Sequence, residues 1–180
     1  MCESESGYIF RFNVYCGKDE SADAIERSLP ANIMQMQKSE KVVLHLIAPL
    51  LDKGFSLYVD NYYTSCNLFS YLHHRLTNAC GTLKNNKAPT IVRDLQITHG
   101  KVKSYSSNPL LCIKFHDSKP VTVLTSIHNQ SAANKTKYGR KRKHDKSSVS
   151  ICKPNAAVEY RQYMSGVDNI YIQYIILAAY

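Results

Sequence analysis

Long apolar runs are missing from this sequence. The longest nearly apolar stretch, Ile170 to Tyr180, is interrupted by Gln173. It falls short of the roughly 20 residues that a membrane-spanning helix needs, so no membrane partner is expected. The opening Met1-Cys2-Glu3-Ser4-Glu5 is acidic, where a secretory leader is basic and then apolar. Secretion is therefore not expected. The six cysteines, at positions 2, 16, 66, 80, 112 and 152, form no C-x-x-C pair. That excludes a zinc knuckle and a thioredoxin-like motif, and the cysteines read as reduced thiols, several of them buried. H-E-x-x-H, G-x-S-x-G, P-loop and G-x-G-x-x-G patterns are all absent. The histidines show no ligand spacing, and no small-molecule substrate is expected.

Acidic side chains are scarce beyond residue 80. Residues 81–160 hold fifteen Lys and Arg against four Asp and Glu, a net +11, whereas residues 1–30 are net −3. That stretch would concentrate around a polyanion, and nucleic acid is the usual one. The chain as a whole is 44% hydrophobic and 21% charged, which suits a globular domain.

The pattern of residues predicts an order of elements. Residues 7–16 carry the β-formers Tyr8, Phe10, Phe12, Val14 and Tyr15 and predict a strand. Residues 21–37, broken by Pro30, predict mostly loop. Val42, Leu46 and Leu50, with Val43, Ile47 and Leu51, make one apolar stripe. It predicts a helix over 39–53, stopped by Gly54 and kinked at Pro49. Residues 55–59 predict a buried strand ended by Asp60-Asn61, residues 65–75 a second helix, and residues 78–83 another strand. From Lys84 the texture turns basic around three β-like runs, 102–105, 110–115 and 121–127. Leu111, Ile113 and Phe115 alternate with Cys112, Lys114 and His116, as in a half-buried strand. The turn at 116–120 makes the last two runs a hairpin. Residues 128–150 predict no order. Helices are expected over 156–164 and from 167 onward.

Two aspartates and one basic run could carry chemistry. Asp60 ends an apolar strand, where the sheet would hold a carboxylate while its head meets solvent, as suits a metal ligand. An Asp-Asn pair equally makes a turn, and position alone favours the turn. Asp168 completes Ser165-x-x-Asp168, the pattern of a capping box, and the residues alone favour the cap. The two stand 108 positions apart. Phosphoryl chemistry with Mg²⁺ or Mn²⁺ needs carboxylates converging from distant elements; this spacing permits that and does not imply it. Tyr138-Gly139-Arg140-Lys141-Arg142-Lys143 is either a nucleic-acid or nuclear-localisation patch, or a solvated linker.

Several segments together resemble piggyBac-type transposases and their domesticated derivatives. Val59-Asp60-Asn61-Tyr62-Tyr63-Thr64-Ser65, followed by Leu68-Phe69 and Leu72, resembles the motif of the second catalytic aspartate. Gly81-Thr82-Leu83-Lys84-Asn85-Asn86-Lys87 resembles the G-T-x-R-x-N-R/K segment after it. Residues 121–128 resemble the family's apolar strand ending in S-x-H or S-x-x. Lys153-Pro154, Tyr160-Arg161 and Met164-Ser165-Gly166-Val167-Asp168 resemble the segments K-P and Y-N-x-x-M-G-G-V-D, which carry the third aspartate. Gly7-Tyr8 and residues 14–18 resemble the strand pair upstream. The order holds across nearly the whole chain.

The resemblance implies an α/β fold, a partial RNase H-like core with an incomplete mixed sheet, flanking helices and a small β-rich insertion. Residues 1–83 would be the first part of that core, lacking its first strand, and 84–128 the basic insertion. Residues 129–150 would be a disordered basic loop, and 151–180 the last helices. Family members cut DNA at transposon ends and join it to TTAA targets, with three aspartates holding two divalent ions. Asp60 would be the second aspartate and Asp168 the third, both as metal ligands for Mg²⁺ or Mn²⁺. Lys84 and Lys87 would face DNA phosphates, as would Arg140, Lys141, Arg142 and Lys143 by charge. The first aspartate would lie upstream of Gly7-Tyr8, and Tyr171 stands where the family has a further Asp. Ser165 and Arg161 also depart from the pattern. The implied function is a catalytically silent transposase core fragment, its metal binding weak or lost, with weak electrostatic DNA binding and nuclear location. The alternatives are a domesticated nuclear DNA- or chromatin-binding protein and part of an active cut-and-paste enzyme. A homodimer would follow by analogy with the family.

Overall fold

The computed structural model describes residues 1–14, 25, 27–130, 135–141, 148–164 and 166, with backbone alone at 32, 135–141 and 148–152. Helix α1, Lys38–Ile47, starts with a capping box between Gln37 and Glu40. It ends early because Pro49 has no N–H for the His45 carbonyl four residues back. A 3-10 turn at Ala48–Leu50 follows, and the Arg11 guanidinium donates to that carbonyl instead, at 2.9 Å.

Strand β1, Ser56–Val59, leads through helix α2, Cys66–His74, into strand β2, Asn78–Thr82. The short helix α3, Thr90–Arg93, precedes three antiparallel strands. These are β3, Val102–Ser107, β4, Leu110–His116, and β5, Pro120–Thr125. All five strands form one mixed sheet in the order β1-β2-β5-β4-β3, with β1 parallel to β2 and the remaining pairs antiparallel. Strands β6, Lys135–Lys141, and β7, Ser148–Pro154, pair separately, and helix α4, Asn155–Met164, follows them.

The sheet is covered on both faces. On one, Val59, Ala79, Cys112 and Leu124 meet Val43, Leu44 and Ile47 of α1 and Leu68, Phe69 and Leu72 of α2. On the other, Cys80, Leu111, Ile113, Phe115 and Val123 meet Ala156, Ala157 and Tyr160 of α4. Each fully buried Leu or Phe contributes on the order of 1.5–3 kcal/mol. A cavity of about 390 Å³ lies along β1, between α1, the Met1–Ser4 segment and the end of α4.

Three expectations are corrected. No strand runs over the described part of residues 7–16; a single bridge joins Cys2 and Ile9, and Tyr8 and Phe12 stay 69% and 72% exposed. β-Formers need a partner strand, and here the Glu3 carboxylate binds the Glu5 and Ser6 N–H groups and turns the chain just before the segment, which pairs with residues 1–3 only locally. β4 is not half-buried. It lies between two strands with both faces covered, so even Lys114 is buried. Within 129–150, read as disordered, residues 135–141 and 148–150 pair as strands, through a backbone ladder that does not depend on apolar side chains, while 131–134 and 142–147 lie outside the described residues. The helix expected from 167 onward lies outside the described residues.

Candidate functional site

Because β1 and β2 run parallel, their C-terminal ends share one edge of the sheet. Ligands of open α/β sheets are met at such carboxyl ends. Asp60 leaves the first end and is exposed. Its carbonyl accepts from the Tyr63 N–H at 3.0 Å, the Thr64 N–H at 3.1 Å and the Thr64 hydroxyl at 3.0 Å. Three donors on one carbonyl make residues 60–64 a fixed corner. Gly81, the register partner of Val59, is what lets the corner close. A β-carbon there would lie 2.3 Å from Thr64 Oγ1 and 2.7 Å from the Val59 carbonyl oxygen.

Behind the corner, Ser65 accepts from the Leu68 N–H at 3.1 Å and so caps α2. The Ser65 hydroxyl donates to the Glu40 carboxylate, whose other oxygen accepts from the Gln37 N–H at 2.8 Å. Glu40 is 1% exposed, and a buried carboxylate is tolerated here because both oxygens are bonded. It ties the starts of α1 and α2 together. Its one sequence signal is a Glu in the first turn of the predicted helix.

Lys84 and Lys87 leave the end of β2 and gather on Tyr62. Their ammonium nitrogens stand 5.4 Å and 5.9 Å from its ring centroid, and Lys87 Nζ also donates to the Tyr62 carbonyl at 2.7 Å. Tyr62 remains 56% exposed. Three expected site residues, Asp60, Lys84 and Lys87, thus meet at one edge. Arg140 and Lys141 fall on β6, described by its backbone alone, and Arg142, Lys143 and Asp168 lie outside the described residues.

On the α4 side, a polar network fastens the helix over the sheet. The Tyr58 hydroxyl, two residues before Asp60, donates to Glu159 Oε1 at 2.7 Å. His128 Nε2 approaches Glu159 Oε2 at 3.0 Å as an ion-pair contact without aligned hydrogen-bond geometry. His128 Nδ1 lies 2.8 Å from Thr125 Oγ1, and the Tyr58 ring rests against Tyr163 with centroids 4.8 Å apart. Burial pushes the Tyr58 hydroxyl well up, and its bond to Glu159 adds to this. Burial pushes Glu159 up too, but Tyr58 and His128 outweigh it and hold the carboxyl below its usual range. Burial pushes Tyr160 up; hydrogen bonding at Thr82 opposes this, and the charge of Asp60 adds to it. His128 and Tyr160 fall in segments that resemble the family's, but no motif marks Tyr58 or Glu159 or joins these separate segments.

The family model described as Transposase IS4 matches residues 1–177. The chain belongs to the Transposase IS4 family. The fold of this transposase-family chain is similar to that of a piggyBac transposase solved by cryo-EM as a synaptic complex with hairpin DNA, with a TM-score of 0.70, 19% identity and 96% of this chain covered. The match spans 32% of that transposase chain. The resemblance read from the motifs is thereby borne out, as is the mixed α/β class.

Membership of a DDE-type transposase family implies the use of divalent metal in general. Among the described residues, no three His, Cys, Asp or Glu side chains come together as a metal site. A divalent ion takes several oxygen ligands; of the expected pair Asp60 is described and exposed, and Asp168 lies outside the described residues. The described thiols of Cys2, Cys66, Cys80 and Cys112 are free. Burial pushes Cys80 and Cys112 each up to about 12, so they are inert rather than reactive.

Proposed function

We propose that this transposase-family chain binds DNA at the edge formed by Asp60, Tyr62, Lys84 and Lys87. The observation that carries this reading is the gathering of Lys84 and Lys87 on Tyr62, two residues beyond Asp60, at the carboxyl ends of a parallel strand pair. The lysines contact phosphates, and Asp60 faces the strand; Asp60 and Asp168 are the two carboxylates that match the family motifs. Two-metal phosphoryl transfer needs ions about 3.5–4 Å apart, held by several fixed carboxylates. Two carboxylates are too few, so the 180-residue chain holds DNA without cutting or joining it. The basic run ending at Arg140, Lys141, Arg142 and Lys143 adds sequence-independent attraction and directs the chain to the nucleus; a tagged copy that stays cytoplasmic refutes the latter.

The test is fluorescence anisotropy with a labelled DNA duplex across a salt series. Each phosphate contact on duplex DNA contributes about 0.9 to the slope of log affinity against log salt. Lys84→Gln/Lys87→Gln is expected to weaken binding to all sequences alike and to lower the slope by about 2. Salt-independent binding, or an unchanged slope in this variant, overturns the proposal.

A further inference from the structure

A cavity of about 650 Å³ opens beside the Asp60 corner. Asn61, Lys84, Arg93, Lys114 and Lys119 stand in its wall, and no Asp or Glu is among the described residues that line it. The topology explains the gathering. β5 runs antiparallel to β2, so the turn that begins β5 meets the segment that leaves β2, and the Leu83 N–H donates to the Thr122 carbonyl at 2.8 Å. Lys119 is thereby brought to the same edge as Lys84. Lys114, on the neighbouring strand, donates to the carbonyls of Val92 at 2.8 Å and Arg93 at 3.0 Å. It thus caps the end of α3 and fixes the backbone that carries Arg93.

We propose that this cavity receives the sugar–phosphate backbone of a DNA strand as it leaves the Asp60 corner, with Lys84, Arg93 and Lys119 on neighbouring phosphates. The inference rests on the DNA-binding reading above and extends it to a path and to two further residues. Arg93, Lys119 and Lys84 are exposed and stand on three separate segments. Cations spread in this way suit a chain of phosphates, whereas one small anion is held by donors converging on a point. Arg93 is paired with Asp94 at 3.1 Å, but that pair is exposed and worth about 0–1 kcal/mol, so a phosphate can replace it. The wall also begins at Asn61, so the cavity continues the proposed DNA surface without a gap.

The test compares the wild-type chain with Arg93→Gln/Lys119→Gln, using anisotropy of a labelled DNA duplex across a salt series. Both positions are exposed, and Arg93→Lys/Lys119→Arg, which keeps both charges, separates lost charge from lost fold. The expected result is a salt slope lower by about 2 in the Gln variant, at least tenfold weaker binding at low salt, and both restored in the charge-keeping variant. Lys53→Gln, an exposed change elsewhere, is expected to alter neither. Wild-type protein that binds no DNA overturns the DNA-binding reading and this one together. Wild-type binding with an unchanged slope in the Gln variant overturns the cavity assignment alone. So does selective displacement of DNA by inorganic phosphate at matched ionic strength, which would reassign the cavity to a free anion.

Discussion

Lys87 reaches from the segment after β2 and donates to the Tyr62 carbonyl in the turn after β1, 2.7 Å away. That bond and the approach of Lys84 to the Tyr62 ring join the two segments that a parallel strand pair places side by side. Two positive charges are therefore held on Tyr62, two residues beyond Asp60, before any ligand arrives. Ordering of side chains on binding costs roughly 0.5–1.5 kcal/mol each, and this arrangement reduces that cost.

The corner depends on the absence of a side chain at position 81. Gly81→Ala would drive a β-carbon into Thr64 Oγ1 and the Val59 carbonyl. Overpacking of this kind costs typically about 1–3 kcal/mol. Urea denaturation should show that loss, together with weaker DNA binding as the corner shifts. An unchanged midpoint would mean that the close approach is not there.

Glu159 should contribute stability that depends on pH. Its carboxyl is held below the usual value of 4.5, burial opposing and Tyr58 and His128 prevailing. A lowered folded-state value means that the contribution is complete above the unfolded value and is lost as pH falls through the folded one. Thermal melts of Glu159→Gln should therefore lie below wild type at pH 7, and the gap should narrow as pH falls from 4.5 through the lowered folded-state value. A gap that stays constant into acid would assign the effect to packing instead.

Native alkylation should spare Cys80 and Cys112, both buried, with thiols pushed up to about 12. Site-resolved mass spectrometry after iodoacetamide at pH 8 checks this. Rapid labelling of either site in the folded chain would contradict the burial of both sheet faces.

The 180-residue chain should not nick transposon-end DNA carrying TTAA flanks, in Mg²⁺ or in Mn²⁺. Asp60 and Asp168 are too few to hold two ions in register. Metal-dependent nicking that disappears in both Asp60→Ala and Asp168→Ala would make the chain an enzyme.

Much of the fold was legible where local pattern and tertiary demand agreed. The α1 and α2 stripes did so, because Val43 and Ile47, and Leu68, Phe69 and Leu72, all enter one core. β4 misled, because the alternation of Lys114 with Ile113 and Phe115 describes a strand open on one side. Lys114 is instead buried, its charge occupied by the carbonyls of α3. Residues 7–14 misled for the opposite reason: good β-formers make no strand without a neighbour. Of the site, Asp60, Lys84 and Lys87 were legible as motif residues. Their meeting was not, since it follows from the register of β1 against β2. Glu40 and Glu159 were silent, and His128 was legible only as the end of a motif, because each acts through partners distant in sequence.

DNA is expected to lie against the Asp60 edge. Photo-crosslinking of the chain to duplex DNA substituted with 5-iodouracil, followed by mass spectrometry of the crosslinked peptides, tests it most directly. Tyr62, an aromatic exposed between the two lysines, is the expected point of attachment, with further crosslinks in the segment from Lys84 to Ile97. Crosslinks found only outside residues 60–65 and 83–97 would contradict the account.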